Sequence, residues 1–512
     1  MTPAPDADRG AARRTRTLLW GIVAVAALLR LLYIGAQSLW IDEYLTLEVA
    51  TPKPGFPLWQ LLRHNVHGPL HTFVVFLFRS ISENDGWLRV PSALAGTATV
   101  PLLFAWMRPR WGERAALAGA LLLAINPLHV HYSQELRNYA FAVLFVMAAA
   151  VCVDLLVARA SPARLLGLAA CIAASVLSNF SATFSLLGHA VSYFRRAGVS
   201  RVHLLRFATV LAFVAAFTSP WIYRLTTYVD FEELATPVLP GQLPEAERLR
   251  GDTTFRVEAI PYAAFVYSVG FSLGPSLREL HDESTLASVV ARHGAVVAWV
   301  ALCFGVLLVL GVVRSARASR AVTTEALLYI IVPLVVTLAL NWQNAKAFNV
   351  RYVLVGLPMY LALIAVGMVS LRRWASWLSG GVVVATCVAS LWNYYFDPRY
   401  RKEDVRGALR AVEARLQPGE CLFAPTVWQI VQHYSRTDAA IHYVYRHPPD
   451  DAVMQDQLAR LVMQCESLWY FRARPWVDDS DGRILSTIDA RYARQETLEF
   501  PGVSAIHFVH KP

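Results

Sequence analysis

The chain has 512 residues, of which 56% are hydrophobic and only 16% charged, with a mean hydropathy of +0.40 and a formal net charge of +10. Soluble proteins carry about 25% charged residues, so the composition excludes an ordinary soluble domain, and repeated apolar runs near ~20 residues mark membrane-spanning helices. The arginines lie between those runs rather than along one face, which is the positive-inside pattern and not a nucleic-acid surface.

Arg9, Arg13, Arg14 and Arg16 precede the first apolar run, 18–35. A secretory signal also starts this way, but this run is too long and exits through Leu39-Trp40-Ile41-Asp42 without a small-residue cleavage site, so an uncleaved anchor is expected. At that exit stand two adjacent acids, Asp42 and Glu43. A charge in the bilayer costs about 2.5–3.5 kcal/mol, so acids there face water, a cavity or a partner. Plain capping is the alternative, since acids favour the first turn of a helix.

Further apolar runs follow at 89–107, 115–128, 139–157, 165–177, 182–194, 207–222, 286–313, 326–340, 352–369 and 375–392. With the first, these predict about eleven spans and a mostly α, polytopic integral membrane protein. The run 69–81 is the ambiguous one. If it stays outside as a juxtamembrane helix, the inner segments hold 18 Lys/Arg against 4 Asp/Glu and the short outer segments only 7 basic residues. The opposite choice would export the arginine-rich loops, so we expect a cytoplasmic N-terminus in the plasma membrane, with the C-terminal part extracytoplasmic.

That topology divides the chain into a cytoplasmic tail (1–17), a membrane module (18–396) with outer loops 37–88 and 226–285, and an outer domain (397–512). It also sorts the unusual polar residues onto one side: Asp42, Glu43, His67, Arg89, His129, His131, Tyr132, Glu135, Arg137, Tyr139 and Arg351 all lie at outer ends or in outer loops. A transporter is expected to place polar groups near the midplane, in broken helices. A one-sided cluster points instead to chemistry at the outer leaflet.

After Tyr395 the composition changes. Residues 402–416 read as an amphipathic helix, and short apolar runs at 421–424, 441–445, 468–471 and 505–509 alternate with helical segments, predicting a small α/β domain. It contains no phosphate loop, zinc-ligand spacing or nucleophile elbow, and a binding or shielding role is expected for it. Cys421 and Cys465 lie in this domain and can pair if it faces an oxidising compartment. The other four cysteines lie in apolar runs as small hydrophobes.

The motifs in order are Leu39-Trp40-Ile41-Asp42-Glu43, His67-Gly68-Pro69-Leu70, Trp87-Leu88-Arg89-Val90-Pro91-Ser92, Asn126-Pro127, and Tyr132-Ser133-Gln134-Glu135-Leu136-Arg137-Asn138-Tyr139. Together they resemble the protein-mannosyltransferase-like branch of the C-type glycosyltransferases, over about residues 18–195. Arg351-Tyr352 and Lys402-Glu403-Asp404-Val405-Arg406 are weaker echoes. One departure is Gly68, where the family often has a second proline, so a rigid turn gains a flexible residue.

The resemblance implies a glycosyltransferase that moves a sugar from a polyprenyl-phosphate-linked donor to a glycan, glycolipid or protein acceptor at the outer face, with inversion. It makes Asp42 the general base, with Glu43 orienting the acceptor, sharing a cation or raising its neighbour's basicity. Arg137 and Arg351 are candidates for the donor phosphate because a guanidinium binds phosphate oxygens in a fork, and Arg89 is a third. Snorkelling to lipid headgroups is the plain alternative for these arginines. His67, Tyr132, Glu135 and Tyr139 are expected to contact substrate. A divalent cation, magnesium or manganese, would suit the hard oxygens of Asp42 and Glu43. Competing readings are a lipid or solute transporter or flippase with an outward vestibule, and a non-catalytic envelope scaffold.

Overall fold

The computed structural model describes residues 5–52, 68–226, 259–282, 286–342, 348–444, 451–479 and 481–511. His67, expected to contact substrate, lies outside them, as does most of the expected outer loop 226–285. Within that loop the described residues form two helices, Ala259–Val269 and Leu277–Asp282.

The first helix, α1 (Pro5–Leu31), carries the basic start and all but the last four residues of the first apolar run, which lie in a turn. The short α2 (Ile41–Val49) follows, with Asp42 and Glu43 in its first turn. Capping is part of what these acids do: the backbone N–H of Trp40 donates to Glu43 Oε2 at 3.4 Å. Next, α3 (Pro69–Arg79) begins on Pro69, whose missing N–H costs nothing at a helix start. Gly68, just before it, fits a close approach. A Cβ there would collide with the Leu177 carbonyl, which accounts for glycine at the position where the family often has proline.

The expected runs 89–107 and 115–128 both lie in α4 (Asp85–Ile125), which is two helical arms rather than one rod. Gly112 adopts φ 81°, ψ 174° just after Arg108-Pro109-Arg110-Trp111, and the chain folds back so that Gly119 packs on Met107. The short α5 (Pro127–Ser133) is capped by the Asn126 side chain and leads to α6 (Tyr139–Ala158). At the centre of the bundle lies the helix Leu357–Val369, buried from Leu357 to Met368 and packed on Val306–Ala318 and α4. Such all-round burial explains why its sequence has no polar face.

Among the described residues six helices are long and apolar enough to cross a membrane: Asp85–Ile125, Tyr139–Ala158, Arg201–Arg224, Ala287–Ala318, Arg320–Trp342 and Arg373–Phe396. Four shorter apolar helices, including Pro69–Arg79 and Pro162–Ser178, fall below that length. The chain is a multi-pass membrane protein, but the expected total of about eleven spans is not reached by length and composition.

The C-terminal residues form the expected α/β domain. Its five strands, β1 (Cys421–Phe423), β2 (Ile441–His442), β3 (Ser467–Ala473), β4 (Tyr492–Phe500) and β5 (Val503–His510), are ordered β2-β1-β3-β5-β4. The first three are parallel, and β5 runs antiparallel to both β3 and β4. Alternation along β3 puts Trp469 and Phe471 in one core with Val405, Leu409 and Val412, and Leu468 and Tyr470 in the other. The helix expected at 402–416 is shorter, Val405–Glu413, because Asp404 caps it by accepting from Gly407 N. β4 is the strand the apolar runs did not foresee. It is an edge strand whose middle, Gln495–Thr497 included, is exposed. Cys421 and Cys465 are joined in a disulfide.

Candidate active site

Consecutive residues on a helix point about 100° apart, so Asp42 and Glu43 cannot serve the same surroundings. Glu43 turns inward and is fully buried. Arg89, from α4, grips it with Nε at 2.8 Å from Oε1 and Nη2 at 2.8 Å from Oε2. The remaining N–H groups of Arg89 go to the carbonyls of Ile34, Gln37 and Ser38, so all five donors are used. Leu136 N donates to Glu43 Oε1 at 2.7 Å, and Lys402 Nζ lies 3.3 Å from Oε2.

Two expectations are corrected here. Arg89 has no donor left for a phosphate, and Glu43 has no oxygen turned to an acceptor. Both hold α2 against α4 and the loop before α6. The pair also does not fit a divalent cation shared by Asp42 and Glu43, because both Glu43 oxygens are taken by positive groups and backbone N–H groups. A metal entering there would face the fixed charges of Arg89 and Lys402.

Asp42 turns the other way and keeps a quarter of its side chain exposed. Arg351 Nη1 lies 2.9 Å from Asp42 Oδ2, and Arg137 Nη2 lies 3.8 Å from the same oxygen. Arg137 also donates to the Asp42 carbonyl at 2.9 Å and to Thr46 Oγ1 at 2.8 Å, which ties it to α2. Arg351 is presented by a 3-10 turn, Val350–Tyr352, that the Asn349 side chain caps through Arg351 N. Two guanidinium groups thus face one carboxylate. Their carbon centres lie 5.7 Å (Arg137) and 6.0 Å (Arg351) from the Tyr139 ring centroid, and Arg351 also lies 5.4 Å from that of Tyr352. Cations at such ring distances are held by the ring quadrupole as well as by charge.

The structure brings Tyr132, Tyr139 and Glu135 to the same end of the bundle. Tyr132 is buried edge-on against Tyr139, with ring centroids 5.0 Å apart, and supports that ring from behind. Glu135 is buried, in an ion pair with Lys402 Nζ at 2.8 Å and beside His131 Nε2 at 3.2 Å, so its expected contact with substrate gives way to a tie to Lys402. Sequence reasoning met Lys402 only as the first residue of the Lys402–Arg406 echo and gave it no place in the site. A further signal is its scarcity: it is one of four lysines among 47 basic residues.

Burial pushes the Glu43 carboxyl up, but the charges of Arg89 and Lys402 outweigh it and hold the group below the usual carboxylate range. Glu135 is likewise pushed up by burial and held well below that range by Lys402 and His131. The unfolded carboxyls, near 4.3, take up protons before the native ones as pH falls. Their stabilisation is therefore complete at neutral pH and lost as pH drops below about 4 through the lowered native values. Thermal unfolding in detergent should show a midpoint that is flat in this respect above pH 5 and falls below pH 4, with a shallower fall in Glu135→Gln.

Residues 66–223 match the family profile described as dolichyl-phosphate-mannose-protein mannosyltransferase. No curated protein sequence matches the chain. Among solved structures, ArnT from Cupriavidus metallidurans bound to undecaprenyl phosphate is similar at a TM-score of 0.52 and 12% identity, over 95% of this chain and 97% of that one. Its apo state gives 0.53 at 12% identity, over 97% and 98%. The apo oligosaccharyltransferase of Archaeoglobus fulgidus gives 0.53 at 12% identity, over 97% of this chain and 74% of that one. The fold is similar to that of these glycosyl-transferring membrane enzymes, a C-type-glycosyltransferase-like fold. The family profile begins after Asp42 and Glu43, so within this fold the acidic pair rests on its own geometry. The same profile does cover α4, α5 and the loop carrying Glu135 and Arg137.

Proposed function

We propose that the chain is a membrane glycosyltransferase that moves a sugar from a polyprenyl-phosphate-linked donor to an acceptor hydroxyl, with inversion and with Asp42 as general base. The observation that carries this reading is the division of the acidic pair: Glu43 is closed off by Arg89, while Asp42 is left part-exposed between two guanidiniums. Such a site suits the reaction. The acceptor oxygen attacks the anomeric carbon as its proton passes to the Asp42 carboxylate, and the bond from that carbon to the phosphate oxygen breaks. The polyprenyl phosphate leaves with the bonding electrons. Arg351 and Arg137, two positive charges against one negative, have charge to spare for that leaving group.

An outer-face site is supported by two features. The domain that docks beside Asp42 carries the Cys421–Cys465 disulfide, a bond that persists in oxidising compartments. The far end of the bundle carries the arginine-rich loops, where Arg110 pairs with Asp154 at 2.6 Å and Glu325 at 2.7 Å.

Purified protein incubated with a panel of polyprenyl-phosphate sugars and candidate acceptors, followed by mass analysis, tests the reading. A glycosylated product with release of polyprenyl phosphate is expected. Translocation of lipid or solute in proteoliposomes without any glycosidic product would overturn it. Within an active preparation, Arg351→Ala should raise the donor KM by about tenfold or more, since a hydrogen bond to a charged group contributes about 1.5–3 kcal/mol. Steady-state kinetics at varied donor concentration would check this, and an unchanged donor KM would remove Arg351 from the phosphate site.

A further inference from the structure

Lys402 stands in the joint between the helix Arg373–Phe396 and the C-terminal domain, and it reaches back into the membrane module. Its ammonium lies 2.8 Å from Glu135 Oε1 and 3.3 Å from Glu43 Oε2, and 5.7 Å from the Trp40 ring centroid. Its backbone N–H donates to Gln37 Oε1 at 3.2 Å. Glu43 follows Asp42 directly, and Glu135 precedes Arg137 by two residues. One ammonium therefore ties together the two short segments that carry the base candidate and a phosphate candidate.

The neighbouring contacts act in the same direction. Ser38 Oγ donates to the Glu403 carbonyl at 2.6 Å, and Leu39 N donates to Tyr434 Oη at 2.9 Å. Arg406 pairs with Asp85 at 2.8 Å and donates to the carbonyls of Gly35 and Ala36. The stretch leading into α2 is thus held from the C-terminal domain at successive residues from Gly35 to Leu39. Charge explains why the tie cannot be omitted without consequence. Glu43 and Glu135 are both buried, and of the two Arg89 bonds only Glu43, its other donors going to backbone carbonyls. Without Lys402, His131 would be left as the partner of Glu135, and two buried carboxylates would face each other across the gap.

We propose that Lys402 is a positioning residue for the Asp42 site, and that seating of the 397–512 domain sets the alignment of Asp42 with Arg137. This rests on the transferase reading but adds to it that the C-terminal domain is part of the catalytic alignment. The test uses full-length protein and a donor and acceptor pair that the wild type converts. Lys402→Met is expected to lower kcat by about 10²-fold, the scale of a 1 Å misplacement, with donor KM within about threefold. Lys402→Arg is expected to restore most of the loss.

Because Lys402→Met leaves a buried acid under-paired, the double variant Lys402→Met/Glu135→Gln, which removes one charge of each sign, guards against simple misfolding. It should melt close to the wild type and still lose kcat. Hydrogen exchange supplies a readout independent of turnover: amides of 38–49 and 134–138 should exchange faster in the double variant than in the wild type, with α6 unchanged. A double variant that keeps wild-type kcat, or exchange in these segments that does not change, would overturn the positioning role. Wild-type protein with no transfer from any donor would instead overturn the transferase reading, and the exchange result would still decide whether Lys402 holds α2.

Discussion

Asp42→Asn is expected to lower kcat by about 10²–10⁴-fold while leaving donor affinity intact, the usual contribution of a positioned general base. The substitution preserves shape and a hydrogen-bonding oxygen for Arg351 and Arg137, so the site need not rearrange. What disappears is the group that can take up the acceptor's proton. The guanidiniums also lose their resident negative charge, so donor KM should stay level or fall. Steady-state kinetics with donor and acceptor varied separately would show this split. An equal rise in KM with kcat retained would mean that Asp42 only binds, and undiminished turnover would remove it from the chemistry.

Arg89→Met should cost about 3–5 kcal/mol of stability, because it strands a buried carboxylate with Lys402 as its remaining charged partner. The pair is fully committed: Arg89 is 2% exposed, Glu43 is wholly buried, and every donor of the guanidinium is occupied. Removing both charges at once is a different experiment. Arg89→Met/Glu43→Leu should recover much of the stability, since an apolar pair can replace a buried ion pair at little net cost. Turnover should stay low in both: the single variant loses the Arg89 grip that fixes Glu43, and in the double variant Leu136 N and Trp40 N lose the Glu43 acceptor that fixes the first turn of α2. Chemical denaturation in detergent, run beside the transfer assay, separates the two effects. A single Arg89→Met variant as stable as the wild type would show that the pair is not what holds α2.

The helices were legible wherever burial in lipid or in the bundle demanded apolar residues, and Arg108-Pro109-Arg110 correctly split two runs that the structure joins as one hairpin around Gly112. The α/β domain was legible through strands that are buried on both faces, such as β3. Edge strand β4 was not, because a half-exposed strand needs no apolar run. In the site, the acidic pair stood out by its place at a helix exit, but the different fates of its two members depend on Arg89, distant in sequence and brought close by α4. Helical rotation alone says that neighbours diverge, and not which one turns inward. Arg351 and Arg137 were legible only as candidate forks at expected outer ends, and the structure sets both beside Asp42. The Lys402–Arg406 echo was visible but the role of Lys402 was not, because its partners, Glu43 and Glu135, are hundreds of residues away and a lysine after a span looks like any interfacial cation.

The configuration of the transferred sugar bears most directly on Asp42. With a donor of known anomeric configuration, the product linkage can be read from its one-bond carbon–proton coupling by NMR. Direct displacement by an acceptor that Asp42 deprotonates requires the opposite configuration in the product. Retention would mean two successive displacements through a covalent sugar–enzyme intermediate, and would contradict the role of Asp42 as a base.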